Sequence, residues 1–63
     1  MINRKSLMKT VEDIGQLIIA KENAKLTEED KDSPNEEKLE TLDQEIDLLQ
    51  EIAEKIEEYI DLK

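Results

Sequence analysis

Cysteine, histidine, phenylalanine and tryptophan are all missing from this 63-residue chain. No cysteine means no disulfide and no thiolate nucleophile. No histidine removes the commonest zinc ligand and the usual partner of a catalytic serine. The two serines, Ser6 and Ser33, both stand where helix caps belong. With a single glycine there is no glycine-rich loop to cradle a phosphate. Apolar runs are also short: the longest, Leu17-Ile18-Ile19-Ala20, falls far below the roughly 20 residues that span a bilayer. The start of the chain is basic but lacks the continuous apolar core and small-residue cleavage site of a signal peptide. These absences predict a non-enzymatic protein with no cofactor and no metal, soluble and cytoplasmic, without membrane contact.

Basic residues are scarce as well. Nine stand against eighteen acids, a net charge of −9. The imbalance is uneven: residues 1–25 carry a net +2, residues 26–35 a net −3 and residues 36–63 a net −8. Direct binding to nucleic acid is not expected, because repulsion replaces counterion release.

What the chain does have is apolar periodicity. Leu39, Leu42, Ile46, Leu49, Ala53, Ile56 and Ile60 follow one another at steps of three and four, which keeps one stripe of a helix facing a neighbour. Leu48, Ile52, Tyr59 and Leu62 form a second apolar edge beside it. In the first half, Leu7, Val11, Ile14 and Ile18 share a face, flanked by Met8, Leu17 and Ile19. High charge and few aromatics would otherwise suggest disorder, but these apolar residues are periodic rather than scattered. Gly15 sits beside the first stripe, either as a place where another backbone approaches or as a tolerated weak spot costing roughly 1 kcal/mol against alanine.

Asn3 or Ser6 suits the cap of a first helix over about 4–25. After Ile19 the stripe positions become Lys21 and Lys25, so the apolar seam stops there. Leu26-Thr27-Glu28-Glu29-Asp30 reads as a fresh helix start capped by Thr27, so the first helix is expected to end around Lys25 with room for one extra helical turn, within a connection over about 26–33. Ser33-Pro34-Asn35-Glu36 matches a capping box with proline at the first helical position, opening a second helix over about 34–62. Asp30 and Asp32 begin like a calcium loop, but Pro34, Asn35 and Thr41 break that pattern.

The predicted architecture is all-α: one small domain over 1–63, an antiparallel two-helix hairpin. In that register Lys21 and Lys25 meet Glu36, Glu37 and Glu40, while Arg4 and Lys5 meet Glu57, Glu58 and Asp61. Glu45, inside the apolar arc, reads as an edge residue reaching water. A lone hairpin of this size buries little surface, so two are expected to dimerise into a four-helix bundle or coiled-coil-like assembly. The expected interface for a second copy or another protein is Leu7, Val11, Ile14, Ile18, Leu42, Ile46, Leu49, Ile52, Ile56, Tyr59 and Ile60, with Tyr59 the natural hot spot.

The functional reading is a regulator, adaptor or inhibitor that self-associates and binds a second protein, of a kind phages and mobile elements encode. A competing reading takes the row Glu40, Asp43, Asp47, Glu51, Glu54, Glu58 and Asp61 as a nucleic-acid mimic that blocks a basic cleft. A third comes from Leu42-Asp43-Gln44-Glu45-Ile46-Asp47, which resembles the Ser-Gln-Glu-Leu-Asp signature of small helical-hairpin phosphatases acting on the aspartyl phosphate of sporulation response regulators. That resemblance implies that Gln44, Glu45 and Asp47 face the phosphorylated partner. The chain departs from the family in having Asp43 at the serine position and a helix continuing about sixteen residues beyond the motif.

Overall fold

The computed structural model describes residues 3–61. Two helices of 26 residues each, α1 (Arg4–Glu29) and α2 (Glu36–Asp61), pack against one another with no strand among the described residues. Together they form a rod of 49 × 15 × 14 Å. The contacts that cross between them run in opposite directions: Lys21 pairs with Glu45, Lys25 with Asp43 and Glu28 with Lys38. Residue i of α1 therefore lies level with about residue 67 − i of α2, and the helices are antiparallel.

α1 starts where Asn3, in extended conformation, accepts a hydrogen bond from the Lys5 N–H at 2.7 Å through its side-chain oxygen. Its own carbonyl accepts the first helical bond, from the Leu7 N–H. The helix does not stop near Lys25 as its apolar seam suggests. It runs one turn further, to Glu29, and Thr27 lies inside it with its hydroxyl donating to the Asn23 carbonyl four residues back. The seam does not end either; it changes chemistry. Leu7, Val11, Ile14, Ile18, Lys21, Lys25 and Glu28 keep alternating steps of four and three, and all are buried or half-buried.

The start of α2 also differs from the expected capping box. Asn35, not Ser33, is the cap: its side chain accepts from the Lys38 N–H at 3.1 Å and its carbonyl from the Leu39 N–H. Pro34 stands one residue before it, and α2 begins at Glu36 rather than at 34. The expected end of this helix at Leu62 lies outside the described residues. Acids at Glu36 and Glu37 suit the positive end of the helix dipole.

Among the described residues, four apolar side chains reach the interior: Ile14, Leu42, Ile46 and Ile60. Burial of one such side chain contributes roughly 1.5–3 kcal/mol, so this core is small. Leu7, Val11, Ile18, Leu39, Leu49, Ala53 and Ile56 are half-buried around it. A methyl group placed on Gly15 would meet nothing within 4 Å, so no neighbouring backbone in the hairpin needs the glycine. Gly15→Ala is expected to raise stability by about 0.5–1 kcal/mol. Thermal unfolding followed by circular dichroism would register this as an upward shift of several degrees.

Candidate functional site

Two regions carry the chain's distinctive chemistry, a charged cluster at the loop and an apolar flank along the rod. The cluster centres on Glu28, whose side chain is only 3% exposed. Helical spacing from Lys21 and Lys25 turns it inward, toward the start of α2. One carboxylate oxygen, Oε2, accepts the Asn35 backbone N–H at 2.9 Å. The other, Oε1, accepts from Lys31 Nζ at 3.0 Å and has Lys38 Nζ at 3.3 Å. Glu28 thus does from the opposite helix what the acid of a capping box does from within its own: it satisfies the cap residue's backbone donor.

These contacts hold the Glu28 carboxyl at a pKa of about 2, first through the Asn35 N–H, then through Lys31, with Lys38 adding and desolvation opposing. Further along, Lys25 donates to Asp43 at 2.7 Å and Lys21 lies 3.3 Å from Glu45. The hydrogen bond to Asp43, then its charge, raises the Lys25 pKa. Lys21 and Lys25 therefore reach Glu45 and Asp43 rather than Glu36, Glu37 and Glu40, because α1 is a turn longer than its apolar seam. At the other end, no ion pair among the described residues joins Arg4 or Lys5 to Glu57, Glu58 or Asp61. Glu45 is an edge residue, 44% exposed, as its position in the arc suggested.

Of the eleven apolar residues expected at an interface, Leu7, Val11, Ile14, Ile18, Leu42, Ile46, Leu49, Ile56 and Ile60 line the contact between α1 and α2. Ile52 and Tyr59 remain outside, 41% and 46% exposed. Leu48 joins them at 57% and Leu17 of α1 at 49%. In an antiparallel pair, residues one position before the inward a position fall on the same side of both helices. That rule places Leu17 beside Ile52 and Leu48 at mid-rod, with Tyr59 two turns away. The joining of Leu17 to the α2 edge escapes a reading of either helix alone; only the hairpin register reveals it. Met8, Ile19 and Leu26 are exposed on the opposite flank, where Glu12 and Glu22 interrupt them.

All seven residues of the acidic row are exposed. Asp43 is bonded to Lys25, and Glu58 lies 3.6 Å from Lys55. The three residues of the phosphatase-like motif do not share one face: Glu45 turns toward Lys21, whereas Gln44 and Asp47 stand on the outer side of α2. Among the described residues no group of three or more acids is arranged to hold a metal ion. Neither helix is long and apolar enough to cross a membrane. Compared with protein-family models, curated proteins and solved structures, the chain matches none.

The Glu28 cluster makes acid stability a measurable property. A carboxyl with a lowered folded-state pKa binds its proton more readily in the unfolded chain. Its stabilisation is complete above the ordinary carboxylate value of 4.5 and is lost as pH falls toward about 2. Glu28→Gln is expected to lower the unfolding midpoint in urea at neutral pH and to flatten its decline between those two values. Urea titrations of both proteins across that range would measure this.

Proposed function

We propose that the chain is a non-enzymatic helical interaction module that self-associates, dimer first, and acts as a regulator, adaptor or inhibitor by binding a second protein. The observation that carries this reading is the mid-rod flank of Leu17, Leu48 and Ile52, all exposed beside a core of four buried apolar side chains among the described residues. An amphipathic surface that continues past what its own hairpin can cover is suited to another helix. Two hairpins joined through that flank would form a four-helix bundle and bury it twice over. The same module working on a mobile-element partner, in the cytoplasm, fits the chain's size and acidity.

A second reading follows from the acidic row. Glu40, Asp47, Glu54 and Asp61 recur at seven-residue steps along exposed α2, a periodic anionic ridge that suits a basic cleft. The two readings separate by salt. Partner binding through the apolar flank persists in high salt and fails with Ile52→Asp or Tyr59→Ala. Binding through the ridge fails in high salt and on reversing Glu51, Glu54 and Glu58 to lysine. The phosphatase reading rests on Asp47, and Asp47→Ala that leaves a receiver-domain dephosphorylation rate unchanged removes it.

Self-association itself is tested by light scattering over a concentration series, with circular dichroism on the same samples. A helical dimer at low micromolar concentration is expected. Ile52→Asp, which places a charge in the joined surface, is expected to weaken it at least about tenfold. A helical monomer throughout the series would refute the dimer.

A further inference from the structure

We infer that the second copy seats on the Leu17–Leu48–Ile52 flank with its long axis reversed, about a two-fold axis perpendicular to the rod. The inference rests on the self-association reading above and fixes its geometry. Residues along the joined flank of α2 are near-symmetric about residue 50: Leu48, Ile52 and Lys55 are exposed, and Glu45 is half-buried beside Lys21. Leu48 and Ile52 stand two positions either side of that point, and Glu45 and Lys55 five positions either side. Two copies of α2 laid antiparallel across such an axis bring Leu48 against Ile52 of the other copy, twice. They also bring Glu45 against Lys55 of the other copy, twice.

α1 is compatible with the same axis. Its flank is centred on Leu17, with Asp13, ion-paired to Lys9, four positions before it, and Lys21, a seam residue paired with Glu45, four positions after it. Reversal about Leu17 sets Leu17 against itself and Asp13 beside Lys21 of the other copy. Residues 17 and 50 must then lie level in one hairpin if a single axis is to serve both helices. They do: the register of the three crossing pairs puts residue i level with about 67 − i. The two helix patterns and the hairpin register, linked through the Lys21–Glu45 pair, are consistent with one axis. An isologous two-fold of this kind closes on itself as a dimer.

The alternative two-fold, along the rod, sets α1 of one copy over α2 of the other with both loops at one end. Lys55 and Glu45 of different α2 helices then stay apart, and neither local symmetry is used.

Orientation is read by introducing Ser33→Cys, a unique thiol in the exposed loop, and measuring nitroxide distances in the dimer by pulsed electron resonance. Residue 33 lies about seventeen positions from the axis, so the reversed arrangement gives about 50 Å between labels. Side-by-side loops give roughly 20 Å or less. The charge pairing is tested with Glu45→Lys and Lys55→Glu. Each homodimer then faces like charge twice and weakens about three- to tenfold. Mixing the two variants restores both contacts, so the heterodimer is favoured. A long distance together with heterodimer preference establishes the axis. A dimer with the short distance, or with no preference on mixing, overturns it while leaving self-association standing. A wild-type monomer at every concentration overturns both readings.

Discussion

The hydrogen bond from the Asn35 N–H to the Glu28 carboxylate is the contact on which the geometry of this hairpin depends. It joins the last turn of α1 to the cap of α2 across a connection that contains no glycine and no residue of positive φ among those described. Loop backbone of ordinary conformation does not dictate one packing of the helices that flank it. A carboxylate held by one backbone donor and two lysines does, because moving the register by a turn would take away the Asn35 N–H and Lys38 and leave that near-buried charge to Lys31 alone. Register in turn decides which residues of α1 and α2 share a flank, and thus whether Leu17 extends the α2 edge or stands alone.

The seam is consequently of two kinds. From Leu7 to Ile18 it is apolar and supplies burial; from Lys21 to Glu28 it is charged and supplies alignment. Exposed and half-exposed ion pairs such as Lys21–Glu45 are worth little individually. They act mainly by discriminating against misaligned or parallel pairings, in which acids of α2 would meet Glu28 or one another. The separation of charge between the two halves of the chain serves the same end. An excess of base in residues 1–25 lies against an excess of acid in residues 36–63.

Much of this architecture is legible in the sequence because each helix carries its own signals. The seven-residue repeat of α2 and the stripe of α1 require no tertiary knowledge, and two helices on a short connection pack antiparallel. The end of α1 was hidden for a physical reason. An apolar stripe reports where burial is oily, not where the helix stops, and Lys21, Lys25 and Glu28 occupy seam positions while looking like surface residues. Their seven-residue spacing was the available signal. The cap of α2 was misplaced because Ser33 and Glu36 fit a local capping box, whereas the competing partner for the cap's backbone came from seven residues upstream. Sequence-local rules cannot see a donor satisfied by another helix. The exposed flank was legible residue by residue, in Leu17, Leu48, Ile52 and Tyr59, but not as one surface.

Acidity constrains what such a surface can build. Each copy carries a net charge of −9, so every association works against repulsion. The distribution of that charge matters more than its sum. The outer side of α2 bears Glu40, Asp47, Glu54 and Asp61 along its length, and the flank holding Met8, Ile19 and Leu26 is broken by Glu12 and Glu22. Among the described residues, the Leu17–Leu48–Ile52 flank combines exposed apolar side chains with charges of both signs. On the proposed arrangement that flank is consumed by one partner copy, and the outer side of α2 that remains is anionic. Like-charge faces disfavour stacking further bundles. The acidic ridge would then disfavour stacking of further copies through α2, and a second protein that binds the apolar flank would compete with the second copy for it.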